Sequence, residues 1–227
     1  MKKHLVDLHI HSHFSDGKLS VAEIVDYYGR KNFSAIAITD HLADTKTLTG
    51  LVTHQLKLSL SQQNIDAYLQ TIHKEARRAR EKYNMLLIPG VEVTLNSWSR
   101  KSGAHVVFLG IDRYINPNRS VKDLLTDNNE FFSIAAHPMW DASYEFKTTY
   151  LWENRHQLHT FFDAWECATA QRFAKEVYTS GYCYVASSDF HHPNRFESWK
   201  TQTYLDDLCY ENIFYNIRNK LVEPVWI

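Results

Sequence analysis

The sequence has few cysteines, no excess of charge of either sign and no long apolar run. Its three cysteines, Cys167, Cys183 and Cys209, are widely spaced and set among aromatic or aliphatic neighbours. This pattern favours buried free thiols over disulfides or zinc ligands. The 25 Lys and Arg residues nearly balance the 26 Asp and Glu residues. The near-zero net charge therefore gives no sign of nucleic-acid binding, although it does not exclude a local basic groove.

No stretch approaches the roughly 18 uncharged apolar residues of a membrane-spanning helix. Met1-Lys2-Lys3 leads into a histidine-rich strand and not into the apolar core of a signal peptide. We therefore expect a cytoplasmic protein with no membrane partner. Repeats, low-complexity tracts and linkers are also missing, so residues 1–227 are expected to form a single domain.

What the sequence does have is histidine, 13 residues in all. Alternate side chains of a strand point to one face, so His9 and His11 can aim both rings at one point. Asp16 and Gly17 then break the strand and return a carboxylate to the same end, adding an oxygen ligand that divalent ions accept beside imidazole. Metal binding is favoured over the alternative, a polar strand end with solvated histidines.

Apolar runs alternate with helical patterns along the chain. Apolar runs predict strands at 5–10, 34–38, 85–88, 105–110, 131–136, 161–166, 182–186 and 221–226. A capping box at Ser20-Val-Ala-Glu23 predicts the start of a helix, and further helices are predicted over 62–83, 119–129, 169–179 and 206–219. Segment 43–61 is either a long loop of the kind that serves as a lid or a small irregular insert.

This alternation is typical of a parallel sheet, and seven or eight such units favour a barrel over an open sheet. Barrels of this kind build their active sites at the carboxyl ends of the strands. Five of the first seven strands carry candidate ligands at that end: His9 and His11, Asp40 and His41, Glu92, His137, and Asp189 and His191. His105 stands at the start of its strand instead.

Six motifs occur in order over nearly the whole chain. They are His9-Ile-His11 with Ser15-Asp16-Gly17, Thr39-Asp40-His41, Gly90-Val-Glu92, His105 before an apolar run, Ala136-His137-Pro138, and Ser188-Asp189-Phe190-His191. Together they resemble the motifs of the polymerase and histidinol phosphatase (PHP) family of metal-dependent phosphoesterases. The resemblance implies an α/β fold, a distorted seven-stranded β/α (TIM-like) barrel, with two or three divalent ions.

The resemblance also implies a ligand set for each ion. One ion would be held by His9, His11, Glu92 and Asp189. A second would be held by Glu92, His105 and His137, so that Glu92 bridges the two. A third would be held by Asp16, His41 and His191. Some family members have a histidine where this chain has Asp16. Imidazoles combined with carboxylates suit Zn, Mn or Fe better than Mg.

The activity implied is hydrolysis of a phosphate mono- or diester by a metal-bridging hydroxide that attacks phosphorus in line. The residues expected to take part in catalysis are Asp16, His41, Glu92, Asp189 and His191. The expected substrate is a small phosphorylated metabolite or a nucleotide, with a short nucleic acid also open. The alternatives are a C–N bond hydrolase of the amidohydrolase type, which would use the same activated water, and a non-catalytic metal-binding module.

Four further residues have candidate supporting roles. Asp40 is expected to orient a ligand histidine, with helix capping or turn formation as the alternative. Arg195 and Lys200 are candidates for stabilising the leaving alkoxide, and a surface role is equally open for each. Glu166 is either a carboxylate that supports the ligands or an ordinary residue at a strand end.

Overall fold

The computed structural model of the chain describes residues 1–47, 52, 55–56, 58–95, 103–139 and 149–227. The strands in these residues are β1 (Lys2–Asp7), β2 (Ala35–Ile38), β3 (His41–Ala43), β4 (Leu86–Leu95), β5 (Ala104–Leu109), β6 (Phe132–Ala135), β7 (Ala164–Thr169), β8 (Arg172–Phe173), β9 (Tyr184–Ser187), β10 (Trp199–Leu205) and β11 (Val222–Trp226). The helices are α1 (Val21–Gly29), α2 (Ile65–Tyr83), α3 (Val121–Asp127), α4 (Tyr150–Glu153), α5 (Arg155–Leu158), α6 (Lys175–Tyr178) and α7 (Tyr210–Arg218). Much of the segment 43–61 lies outside the described residues, so its role stays a prediction.

Helix α1 begins at the predicted capping box, which is confirmed. The Ser20 hydroxyl accepts a hydrogen bond from the Glu23 backbone N–H at 3.3 Å, and the Glu23 carboxylate accepts one from the Ser20 N–H at 2.8 Å. These bonds satisfy N–H groups that no helical carbonyl can reach. The helix can therefore begin at this point and bury its apolar face.

Helix α2 is the long amphipathic helix predicted over 62–83. Its buried Tyr68 donates a bifurcated hydrogen bond from its hydroxyl to the carbonyl of Ile38, at 3.0 Å, and to that of Gly90, at 2.7 Å. Both carbonyls lie in or at the end of sheet strands. The helix is therefore fixed to the sheet by polar contacts as well as by its apolar face. None of the described helices is long and apolar enough to cross a membrane.

The described strands form one mixed sheet in the order β11-β10-β1-β2-β4-β5-β6-β7-β8, with β3 also paired to β4 and β9 to β7. The pairs β1–β2, β2–β4, β6–β7 and β7–β9 are parallel, as predicted. Strand β5 is antiparallel to both of its neighbours, so the sheet is not parallel throughout. The α/β class is confirmed, whereas the specific seven-stranded β/α barrel is not.

The sheet curls so that two distant strands approach each other. The Thr201 hydroxyl of β10 accepts a hydrogen bond from the Ala186 N–H of β9 at 2.9 Å and donates one to the Ala186 carbonyl at 2.8 Å. The inner core draws side chains from strands all along the sheet and from α7, including Val6, Ala37, Val107, Ile134 and Phe214. Helix α7 therefore contributes to the core inside the curled sheet.

The structure differs from the prediction at residues 169–179 and at strand β10. Residues 169–179 are not a continuous helix, because the chain turns at Ala170, where φ is +52°, and forms the short hairpin β7–β8 before α6. Strand β10 was not expected, since its buried Lys200, Thr201 and Thr203 give it no apolar run. Pairing with β1 and β11, which satisfies the backbone of β10, outweighs the polar side chains.

We expect Gly29→Ala to destabilise the protein. A Cβ at Gly29 would overlap the ring of Tyr83, which packs on the end of α1. Such overpacking typically costs about 1–3 kcal/mol of unfolding free energy, measurable by urea denaturation. In a Tyr83→Ala background the same change should be neutral or stabilising by up to about 1 kcal/mol, because Ala is the better helix former. A loss of equal size in both backgrounds would contradict the steric explanation.

Candidate metal centre

Backbone pairing brings the first and last motifs together. The N–H of His11 donates to the carbonyl of Phe190 at 2.8 Å, and the N–H of Phe190 donates to the carbonyl of His9 at 3.2 Å. Residues 9–11 thus run beside residues 189–191 just beyond the ends of β1 and β9. This arrangement brings two histidines of the first motif beside Asp189 and His191.

The reversed direction of β5 explains the position of His105. In the antiparallel β4–β5 pair, Glu92 is opposite Val107 and Thr94 is opposite His105. The start of β5 therefore lies at the same end of the sheet as Glu92, and His105 Nδ1 is 2.8 Å from Glu92 Oε1. A histidine at the start of an antiparallel strand reaches the same end as histidines that follow parallel strands.

All nine predicted ligands surround this end of the sheet. Among the described residues, three groups have ligand atoms within 4.8 Å of one another: His9, Glu92 and His137; His9, His11 and Asp189; and His11, Asp16, His41 and His191. These groups overlap the three ligand sets implied by the motifs without matching them, because His9 also joins Glu92 and His137, and His11 also joins Asp16, His41 and His191. His105 contacts the first group through Glu92. The structure therefore brings the predicted ligands together, and their role as ligands stays a prediction.

Three ring nitrogens of His9 and His11 have no hydrogen bonds at the centre. His9 Nε2 and both ring nitrogens of His11 are buried without a hydrogen-bond partner in the described part of the chain. His9 Nε2 is 3.5 Å from Glu92 Oε1, and His11 Nε2 is 3.3 Å from Asp189 Oδ1. Buried polar atoms are rarely left in this state. Divalent ions bound between imidazole and carboxylate would satisfy them, so the donor set fits a metal.

Two of the predicted ligands have unusual backbone conformations. The φ angle is +27° at His137 and +51° at Asp189, although neither residue is glycine. Such conformations cost on the order of 1–3 kcal/mol and cluster at functional sites, where the surrounding structure imposes them. Each residue lies two positions after the end of a buried strand, β6 or β9, and the turn of the backbone there accompanies the entry of its side chain into the centre.

The surroundings hold two of the predicted ligands, Glu92 and His11, in the ionised and the neutral form respectively. Burial alone would raise the pKa of Glu92, but the rings of His105, His41 and His9 outweigh it and hold that pKa well below its ordinary value. Burial, together with the nearby His41 and His191, lowers the pKa of His11 to about 3. An ionised carboxylate and a neutral imidazole are the protonation states that bind metal ions.

Asp40 does not make the contact expected of it. Its carboxylate accepts hydrogen bonds from the Ser12 N–H at 2.8 Å and from the hydroxyls of Ser12 and Ser15, both at 2.6 Å. It thereby holds the loop between His11 and Asp16 instead of orienting a histidine. The contact expected of Asp40 is made by Glu166, whose Oε1 is 2.9 Å from His9 Nδ1.

Lys200 lies away from the centre. It is fully buried, and its ammonium group donates to the Phe196 carbonyl at 3.0 Å and to the Ser198 hydroxyl at 2.6 Å, with Asp7 Oδ2 at 3.8 Å. A leaving group could not reach it there. The sequence could not show this, because a lysine in a polar stretch is usually exposed.

A cavity of about 530 Å³ opens over the centre. Arg195, for which the sequence left a leaving-group role and a surface role open, lines it together with three polar side chains that were given no role or no firm role from the sequence: Lys18, His192 and Asn194. The N–H of Lys18 donates to the carbonyl of His191 at 2.9 Å. The sequence feature that could have pointed to Lys18 is its position directly after Asp16-Gly17.

Fold and site together define an α/β protein with a histidine and carboxylate centre at the end of a curled sheet. Residues 7–180 match the family model of the PHP domain, and the chain belongs to the PHP domain family. Its fold is similar to that of a two-domain protein from Bacteroides vulgatus ATCC 8482 described as containing a predicted PHP-like metal-dependent phosphoesterase. That similarity has a TM-score of 0.75 at 21% identity and covers 99% of this chain and 65% of the other.

A shorter match links the chain to a larger enzyme. A stretch of 51 residues is 41% identical to the DNA polymerase/3′-5′ exonuclease PolX of Bacillus subtilis (strain 168). It covers 22% of this chain and 9% of the polymerase. The chain thus matches less than two thirds of the length of either relative.

The metal-free protein should lose stability as the pH rises from about 6.5 to 9. Although burial opposes it, a hydrogen bond to Asp16 and the charge of Asp189 raise the pKa of His191 from 6.5 to about 9. A pKa raised by folding stabilises the protein below the unfolded value, and the effect disappears as pH passes the folded value. Urea denaturation in EDTA at both pH values measures this loss, and His191→Gln should reduce it. Equal or higher stability at pH 9 would contradict the prediction.

Proposed function

We propose that this protein is a metal-dependent phosphoesterase that hydrolyses a phosphate mono- or diester of a small metabolite or nucleotide. The observation that carries the proposal is the convergence of nine histidine and carboxylate side chains, Glu92 among them, beneath a cavity large enough for a small substrate. Membership of the PHP domain family supports the same chemistry. A metal-binding module without activity would not need an open cavity over its ligands.

The three groups of side chains would hold two or three divalent ions, with Zn, Mn or Fe favoured by the imidazoles. Bound there, such ions lower the pKa of a water molecule and neutralise the charge of a phosphoryl group. The protein's own side chains would position these ions. Glu92 lies between the group that contains His9 and the group that contains His41. Asp16 and His191 lie on the side of the centre nearest Lys18.

Two cations of the cavity rim are available to a substrate. Neither Lys18 nor Arg195 forms an ion pair with any described carboxylate, and both line the cavity. We assign them to the binding of phosphate oxygens or of the leaving group. Three other described arginines are already paired with carboxylates and are therefore less available to a substrate: Arg78, Arg113 and Arg119.

Removing a central ligand should abolish activity without unfolding the protein. We expect His9→Ala and Glu92→Gln to reduce phosphoester turnover on the order of 100-fold or more, beyond the 10–100-fold typical of changes beside a ligand. The matched controls are His73→Ala and Glu81→Gln, at exposed positions of α2.

The assay follows hydrolysis of p-nitrophenyl phosphate and bis-p-nitrophenyl phosphate, with metal content by mass spectrometry. Chelation should remove activity, and Mn, Zn or Mg added back should restore it selectively. Full activity in both ligand variants would overturn the site. Bound metal with no phosphoester turnover by the native protein would favour the C–N hydrolase.

Lys18→Ala and Arg195→Ala should each raise KM about 10-fold, because each removes a charge-assisted hydrogen bond that is partly exposed to water. Metal content should stay at the native level, since neither residue belongs to the ligand groups. Lys74→Ala and Arg77→Ala, both at exposed positions of α2, are the matched controls. An unchanged KM in both rim variants would mean that the substrate does not contact this side of the cavity.

A further inference from the structure

The side chain of Glu166 contacts two of the predicted ligand residues at once. It lies in β7 and is 1% exposed. Its Oε1 is 2.9 Å from His9 Nδ1. Its Oε2 accepts a hydrogen bond from the His137 N–H at 2.6 Å and another from the Thr169 hydroxyl at 2.9 Å. One carboxylate therefore links His9 of the first motif with His137 of the fifth.

The contact with Glu166 decides where His9 carries its proton. An ionised carboxylate only accepts hydrogen bonds, so Nδ1 of His9 must be the protonated nitrogen. In neutral His9 this leaves a lone pair on Nε2, which faces Glu92 Oε1 at 3.5 Å and Asp189 Oδ1 at 3.6 Å without a hydrogen bond. That lone pair is what a metal ion requires.

The second oxygen of Glu166 acts on the backbone of His137. This residue has φ of +27°, an unfavourable conformation for a residue with a side chain. The 2.6 Å bond from its N–H to Glu166 Oε2 holds that conformation, which directs the ring so that Nε2 lies 3.0 Å from Glu92 Oε1. Glu166 thus fixes a tautomer at one ligand and a backbone conformation at the other.

We propose that Glu166 is a positioning residue of the metal centre, which holds His9 in the tautomer protonated at Nδ1 and orients His137. The inference rests on the metal centre of the proposed function but not on its substrate or reaction. A residue with a purely structural role would affect the stability of the protein and would leave the proton of His9 in place.

The variant Glu166→Gln separates the positioning role from a purely structural one, because it keeps the size of the side chain but changes which groups donate hydrogen bonds. Two donors, the His137 N–H and the Thr169 hydroxyl, face one end of the side chain, so the amide oxygen should turn to that end. The amide NH₂ then faces His9 Nδ1, which must accept a hydrogen bond and give up its proton to Nε2. All three hydrogen bonds survive, but the lone pair that faces the centre is lost.

Zinc binding by the full chain provides the first measurement. We expect Glu166→Gln to bind the tightest zinc ions 10–100-fold more weakly than the native protein in competition with a chelator. Thr169→Val, which removes the third hydrogen bond but leaves the contact with His9, should bind zinc at native strength. Unfolding of the metal-free proteins in urea reports whether both variants are folded. Native zinc affinity in folded Glu166→Gln would overturn the proposal.

The second measurement is ¹⁵N NMR of protein labelled at histidine. In the native zinc-loaded protein, Nδ1 of His9 should carry a proton, whereas in metal-free Glu166→Gln the proton should lie on Nε2. The native protein tests the proposal even if the variant does not fold, because an unprotonated Nδ1 would overturn it. Absence of phosphoester turnover with these results intact would refute the proposed reaction and leave the role of Glu166 standing.

Discussion

One buried carboxylate holds the centre together. Glu92 is fully buried, and five histidine rings have a nitrogen within 3.6 Å of its oxygens: His9, His11, His41, His105 and His137. An ionised carboxylate without compensation is among the most costly groups to bury. The rings that stabilise it are also the donors that a metal ion would need, so the same arrangement serves folding and function.

The convergence depends on how the strands are paired. The centre collects side chains that follow or begin strands on both sides of β4, and it closes through the backbone bonds between residues 9–11 and 189–191. Curling of the sheet brings β9 close to β10, and the inner core, to which α7 contributes, supports the curled shape. A flat sheet with the same strand order would leave the motifs far apart.

A layer of buried polar side chains supports the ligands from behind. Asp40 holds the loop before Asp16, and Glu166 holds His9 and His137. Asp7 accepts hydrogen bonds from the Tyr28 hydroxyl at 2.9 Å and from the Ser188 N–H at 3.0 Å, next to Asp189. Lys200, close to Asp7, neutralises that carboxylate and thereby contributes to the centre indirectly. Such layers fix ligand geometry to a fraction of an ångström.

Local patterns of the sequence determined much of this protein. The capping box at Ser20 fixed the start of α1, the helical period fixed α2, and the alternation of His9 with His11 placed two rings on one side. The positions of His41, Glu92 and Asp189 at predicted strand ends were enough to group them. Each of these inferences depends on neighbours within a few residues, which the sequence displays directly.

Only the tertiary structure decided the rest. The direction of β5 brought His105 to the centre, and pairing with both β1 and β11 made a strand of the polar segment that contains Lys200. His9 and Glu166 are 157 residues apart, and nothing local to either one predicts their contact. The sequence shows which side chains can bind or support a metal, but the order and direction of the strands decide which of them meet.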